Sequence, residues 1–459
     1  MKQHAPSILV ASLSSAFGVT LLEVTNVLTA MISANQVTGS SPAVRIMLSA
    51  LAWVFIAIAV YVGTIVTANT FATIIAGRTR TIALLRLIGS SAADQRRAVA
   101  REGLLVGVAG ASIGTVVGSA VTALLVVIGV GSHDLPNIDY GWFTPVVALP
   151  AVAVILTTWL ASWIGSRRVL EVSPIEATGV AVERSREEAA QRPARNTGAI
   201  VLFAVGIAIM VLGMLVGLVT PLGVLIGVVG GILSFTGLVL GAQLVMPVAL
   251  RLVGRLFGRG ATARLAAENA IRYPERSSRT TIGMVIGVTL ITMFAVAVAS
   301  FQVIIGQQQA RSPDAYQGTG AVLSVVVTVF SILMGFSALI AAVGMVNTLS
   351  LSVLQRTREL GLLRALGFTA RQVRTMILVE SAQLTVASVL VGLVLGTFYG
   401  WAGAQSLLGA SAHGIVAPAI PLVLLLVIVG AALVLIAVAS VAPARRATRI
   451  APVAALAAD

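Results

Sequence analysis

The 459 residues are 58% hydrophobic and only 10% charged, with a mean hydropathy of +1.02, which excludes a water-soluble globular domain and points to an integral membrane protein. The formal net charge is +14, but the basic residues are spread between apolar runs, which argues against nucleic-acid binding. Cysteine is absent, which excludes disulfides, thiolate metal sites and cysteine nucleophiles.

In chain order, apolar runs long enough to span a bilayer as helices fall near 7–33, 45–73, 103–130 and 144–164, then 197–218 and 222–249, then 280–306, 320–348, 376–400 and 420–441. These make about ten spans of ~20 or more residues each. No segment alternates with the period of two that a barrel strand needs. The expected fold is therefore all-α and polytopic. Basic residues lie between spans 2 and 3, 4 and 5, 6 and 7, 8 and 9, and after span 10, with Lys2, Arg45 and Arg311 as exceptions. This positive-inside pattern predicts that both termini are cytoplasmic and that the arginines face anionic membrane lipid or an acidic partner. The segment after Met1 lacks the short apolar core and small-residue cleavage site of a signal peptide, so it is expected to stay as span 1. The external loops near 34–44, 131–143, 307–319 and 401–419 are all short.

The chain repeats itself. Arg78 to Gly89 (RTRTIALLRLIG) recurs as Arg356 to Gly367 (RTRELGLLRALG), and one register also pairs Asn69 with Asn347, Glu102 with Glu380, Gly114 with Gly392, Gly118 with Gly396, Arg167 with Arg445 and Pro174 with Pro452. Each copy holds an even number of spans, so the copies are parallel. The expected organisation is a four-span repeat over 1–178, a cytoplasmic linker over 179–196, a two-span hairpin over 197–260 turning at Val219-Thr220-Pro221, and a second four-span repeat over 261–459. An amphipathic stretch at Ala263 to Arg272 precedes that second repeat and is expected to lie at the membrane surface. The hairpin is not required by topology and reads as peripheral packing.

Between spans 2 and 3, Ile82, Leu85 and Ile88 form an apolar stripe at helical spacing, with Arg78, Arg80 and Arg86 around it. Between spans 8 and 9, Leu360, Leu363 and Leu366 do the same, with Arg356, Arg358, Glu359 and Arg364 alongside. Gly89 and Gly367 suit a left-handed helix end, and Ser91 to Asp94 and Thr369 to Gln372 have capping-box spacing. Each loop thus predicts a short helix, a glycine turn and a capped helix rising into the next span. Gly114 and Gly118, with Gly392 and Gly396, form GxxxG patterns that allow close helix approach, and place spans 3 and 9 at the expected seam between the halves.

The pattern R-x-R-E-[LI]-G-L-L-R-A-L-G, followed by a polar turn and a Glu-bearing helix, resembles the FtsX-like (MacB-type) ABC permease domain, as does the closing arginine-rich element from Arg445 to Ala455. The resemblance covers both four-span units and is strongest at 347–396; in the first copy Thr81 and Ala83 replace the acidic residue and the glycine. It implies a permease driven by mechanotransmission from a separate cytoplasmic ATPase, with two copies suited to the two loops. Arg78 to Gly89 and Arg356 to Gly367 would be the coupling helices, and a lateral opening is implied near spans 1–2 and 7–8. The ten-span layout is similar to bacitracin-exporter-type permeases, without the large external domain those carry between the spans matching 7 and 8. The implied cargo is a small hydrophobic or amphipathic molecule (antibiotic, peptide or lipid), and the implied location is a bacterial plasma membrane.

Other residues weigh on the alternatives. The only lysine, Lys2, lies outside any glycine-rich loop, so no P-loop is present; ATP and magnesium are expected on the partner, and this chain is expected to carry no cofactor and no catalytic residue. Glu23 is the one acidic residue well inside a predicted span, with Asn26 one turn on, and is a candidate for a cationic substrate or a proton. His133 and His413 occupy equivalent external loops, but no further ligand cluster accompanies them, so no metal is expected. The alternatives to an exporter are a mechanical or signalling transmitter to the cell envelope, and an ion-coupled carrier using Glu23.

Overall fold

The computed structural model describes residues 5–34, 88–132, 145–166, 193–255, 274–311, 366–412, 414–423 and 425–430, with scattered positions elsewhere, among them Leu84, Leu85 and several around Tyr61. These residues form α1 (Ala5–Ala34), α2 (Ala92–Gly131), a 3₁₀ turn at Pro145–Val147 leading into α3 (Ala148–Gly165), α4 (Pro193–Gly217), α5 (Gly223–Leu240), α6 (Ala242–Gly254), α7 (Pro274–Arg311) and α8 (Ala370–Ala412). The fold is all-helical among the described residues, and seven of its helices are long and apolar enough to cross a membrane. Spans 2, 8 and 10 of the sequence reading, most of the linker, and the amphipathic stretch before α7 lie largely outside the described residues.

Two parallel pairs make the frame. In the first copy α1 packs along α2, and α3 packs on α2; in the second copy α7 packs along α8. Both seams are built on small residues. A Cβ on Gly114 would lie 2.5 Å from Ser15 Cβ, and one on Gly392 would lie 2.7 Å from Val288 Cβ, so the backbones touch only because these side chains are absent. Gly118 and Gly396 meet α1 and α7 one turn further on, at Val19 and Thr292. The glycine pairs therefore close each copy on itself. The expectation that they join the two halves is corrected: spans 3 and 9 seat spans 1 and 7, since a GxxxG face is spent on whichever helix approaches most closely.

The same contacts refine the repeat. The glycines correspond at a spacing of 278 (114 to 392), while their partners correspond at 273 (Ser15 to Val288, Val19 to Thr292). The first helix of the second copy is thus displaced by five residues relative to the rest of the repeat.

The halves meet through α1 and α7, the most enclosed spans. Phe17 and Phe294 approach with ring centroids 6.4 Å apart, inside one apolar core that also holds Leu21, Met246, Leu250, Ile286 and Leu407. The central hairpin turns between Gly217 and Gly223 as expected, but it is no bystander. Phe235 of α5 stands edge-on between Tyr61 and Tyr399, at 6.3 and 6.1 Å. The Tyr61 hydroxyl donates to the Ile232 carbonyl at 3.1 Å and lies 2.8 Å from Thr236 Oγ1, while Ser234 Oγ lies 3.0 Å from the Tyr399 hydroxyl. One face of α5 thereby ties span 2 of the first copy to α8 of the second.

The expected span 222–249 is broken into α5 and α6 at Gly241. Glycine is a poor helix-interior residue and tolerates the break, while Pro247 sits inside α6 and forgoes only the bond back to Gln243. α6 then leaves the hairpin and packs its Ala242, Met246, Leu250 and Val253 face on α7 and α8. Two external segments taken as loops are partly helical: α7 runs on to Arg311 and α8 to Ala412. Beyond α8 the chain is strapped back: Trp401 Nε1 donates to the Val416 carbonyl at 2.6 Å, and the Gln405 amide both donates to Gly414 and accepts from Val416 N–H.

If the small-residue seams set the frame, Gly114→Val and Gly392→Val should each destabilise the detergent-solubilised protein by about 1–3 kcal/mol, the range for an overpacked core. Thermal unfolding followed by tryptophan fluorescence checks this. Tyr61→Phe should cost less, about 0.6 kcal/mol, the mean for a hydrogen bond between membrane helices.

Candidate functional site: paired capped turns and a buried carboxylate

At one end of the bundle the two copies present the same turn. Gly89 has φ 101° and Gly367 has φ 99°, the left-handed region that glycine enters without a Cβ clash. In the first copy the Ser90 N–H donates to the Leu85 carbonyl at 3.0 Å, the long bond of a Schellman closure, so a helical turn ends where the sequence placed it. The next helix starts at once. Ser91 Oγ accepts from the Asp94 N–H at 3.1 Å and caps α2. Thr369 and Gln372 form a complete capping box, with Gln372 N–H on Thr369 Oγ1 at 3.2 Å and Thr369 N–H on Gln372 Oε1 at 2.9 Å. Each turn is thus fused to the start of a long span, α2 or α8, with no slack between them.

What these turns display is apolar. Ile88 is 81% exposed and its repeat partner Leu366 is 71% exposed; Leu84 is about half exposed, and Leu85 less so. Among the described stripe residues, Ile88 is far more open than Leu85, and Leu366 holds the matching place just before its glycine. In the first copy an extra pin holds the base of α2: the Arg96 guanidinium lies 4.5 Å from the Trp163 ring centroid and reaches Ser166 Oγ at 3.4 Å. The register places Val441 opposite Trp163, so the second copy has no equivalent ring. Sequence reasoning missed this pin, although the asymmetric tryptophan was a signal for it. Arg78, Arg80, Arg86, Arg356, Arg358, Glu359, Leu363 and Arg364 lie outside the described residues, as do His133 and His413.

Away from these turns, Glu23 is 4% exposed within α1. Ser119 Oγ of α2 donates to Glu23 Oε1 at 2.6 Å, while Oε2 is buried without a hydrogen-bond partner. Thr20 and Thr122 flank it and both donate to the Gly118 carbonyl, at 3.2 and 3.1 Å. Asn26, one turn on, is half-buried and engaged in interactions of its own. An acidic group at membrane depth costs roughly 2.5–3.5 kcal/mol to insert, so its retention calls for a reason. Among the described residues no group of three or more acidic or histidine side chains is placed to hold a metal.

The geometry of a doubled, capped turn under long spans matches what the sequence comparison finds. The family described as FtsX-like permease C-terminal matches twice, at residues 53–174 and 331–452, together more than half of the chain and again 278 apart. The chain belongs to the FtsX-like permease family. Among curated relatives, the uncharacterized ABC transporter permease YknZ of Bacillus subtilis is 38% identical over 89 residues, 19% of this chain and 22% of its own length. The uncharacterized ABC transporter permease MJ1507 of Methanocaldococcus jannaschii is 34% identical over 96 residues, 21% of this chain and 23% of its own. The ABC transporter permease YtrF of Bacillus subtilis is 32% identical over 59 residues, 13% and 14% respectively. These alignments span less than a quarter of each relative. Both paired turns lie inside the FtsX-like matches, as do α2 and α8 over their whole length; Glu23 lies outside them.

Because nothing lies within 4 Å of a Cβ built on either turn glycine, Gly89→Ala and Gly367→Ala meet only the left-handed backbone cost, about 1–2 kcal/mol each. The expected outcome is unchanged membrane insertion with faster amide exchange at Ser90–Asp94 and Phe368–Gln372, measured by hydrogen–deuterium exchange.

Proposed function

We propose that this FtsX-like chain is the permease subunit of an ABC exporter, docking a separate cytoplasmic ATPase at its two turns and expelling a hydrophobic or amphipathic molecule by mechanotransmission. The observation that carries the reading is the pair of exposed apolar side chains, Ile88 and Leu366, held by two identical glycine turns on the capped ends of α2 and α8. A displaced partner surface pushes such a turn, and the rigid fusion passes that displacement into a membrane-crossing helix. α2 and α8 in turn bear on α1 and α7 through the glycine seams, and α1 meets α7 at Phe17 and Phe294. Motion at the turns thus has a path to the contact between the halves, where a lateral opening would release cargo.

In this reading the basic end of the bundle is cytoplasmic, the membrane is the bacterial plasma membrane, and one ATPase subunit sits under each turn. ATP and magnesium belong to that partner, and this chain binds neither. The similarity to proteins named as ABC transporter permeases supports the partnership.

The test is co-purification in mild detergent. The wild-type chain should bring down a P-loop ATPase, about two copies per chain by quantitative mass spectrometry. The double variant Ile88→Asp, Leu366→Asp places charges on already exposed positions, so it should fold and insert normally yet lose the ATPase. Retention of a full ATPase complement by that variant would overturn the docking assignment. Each single variant should retain part of it, since the two turns act in parallel.

A further inference from the structure

The seam between α1 and α2 is a ladder of small residues. Gly110 meets Ala11, Gly114 meets Ser15, Gly118 meets Val19, and the next rung is Ser119 against Glu23. That rung lies about 16–18 Å from the end of the helices opposite the paired turns, at 1.5 Å per residue to Ala34 and Gly131. It is inside the membrane half away from the turns, with apolar flanks: Val19, Leu22 and Val147 on one side, Val27, Val126 and Tyr140 on the other.

A carboxylate in this position has no countercharge in its own helices. Glu23 is the only charged residue of α1, α3 has none, and those of α2 all fall between Asp94 and Glu102, about 25 Å or more along the helix from Ser119. Nor does the fold require it. At the structural spacing of 273, the second copy places Val296 where the first places Glu23, fully buried in the equivalent seam. The same packing problem is solved there with a methyl-bearing side chain, and an apolar residue is the less costly occupant. The carboxylate is an addition to one copy.

We propose that Glu23, with Ser119 orienting it, is the anchor for the ammonium group of a cationic amphiphile, reached when the outer end of the α1–α2 seam parts. The free Oε2 supplies one charged acceptor, and the valine and leucine flanks supply a surface for a hydrocarbon tail. A hard metal ion is a poorer fit. It would want six or more oxygens, several of them anionic, whereas this rung offers one carboxylate and a few neutral hydroxyls, and no group of three or more acidic or histidine side chains is placed to hold a metal among the described residues. This specifies the cargo class of the exporter reading and rests on it. The glycine ladder gives the motion its means, because small residues let two helices slide or part without unlocking interdigitated side chains.

The experiment uses the purified chain in nanodiscs of zwitterionic lipid, with dodecylammonium and the neutral dodecanol as probes. Wild type should bind dodecylammonium about ten- to a hundredfold more tightly than each of two variants, Glu23→Gln and Glu23→Val, the loss expected for one charge-assisted hydrogen bond. Dodecanol should bind all three equally. Glu23→Val carries the residue of the second copy, so it should melt no lower than wild type, which separates loss of the site from loss of the fold. Equal binding of the two probes by wild type, or a preference for the cation that survives both substitutions, would overturn the proposal. Because this assay needs no ATPase, Glu23-dependent binding without any co-purifying ATPase would sink the exporter reading and leave the cation site standing.

Discussion

Close backbone contact across the two glycine seams is the constraint on which the rest of this structure depends. In a bilayer, lipid tails are as apolar as leucine, so helices gain little by burying leucine against leucine; they gain by packing at short range. Gly114 and Gly118 let α1 lie against α2, and Gly392 and Gly396 let α7 lie against α8. Each long, half-exposed helix is thereby paired with a strongly enclosed one. The outer member of each pair starts at a capped turn, and the inner member reaches the contact between halves. A mechanical path from surface to centre follows from pairing alone.

The two copies share this frame but use it differently. The first has the Arg96–Trp163 pin at the base of α2 and a carboxylate in its seam; the second has Val296 in that place and a strap beyond α8 held by Trp401 and Gln405. The hairpin adds a further asymmetry, because α5 joins span 2 of one copy to α8 of the other through Tyr61, Phe235 and Tyr399. A duplicated chain is free to specialise in this way: once the pairwise packing is satisfied, the remaining positions on each helix need not match.

The local features of the site were legible in advance because they depend on short-range chemistry. A glycine following a helical stripe, then Ser-x-x-Asp or Thr-x-x-Gln, dictates a left-handed turn and a capped start within about ten residues, and both turns formed as read. Among the described residues, seven of the expected spans are also helices long and apolar enough to cross a membrane, although helix ends shifted: α7 and α8 run past their expected limits. The break at Gly241 was visible only in hindsight, since one apolar run can bend at a glycine without any change in composition.

Seam partners, by contrast, were misassigned. A GxxxG face states that something will approach closely and is silent about which helix does so, and the answer came from α1 and α7 rather than from the opposite half. The five-residue offset of α7 and the role of the hairpin were equally hidden, because the first helices share too little sequence to align and because Tyr61, Phe235 and Tyr399 are more than a hundred residues apart. By itself the sequence determined the membrane class, the duplication and the two capped turns, all set by composition, register and neighbours within a few residues. Only the tertiary structure decided which small faces meet, that the hairpin bridges the copies, and that one Glu23 oxygen is left without a partner. Those outcomes depend on long-range packing, where many residue pairs are chemically compatible and geometry alone selects among them.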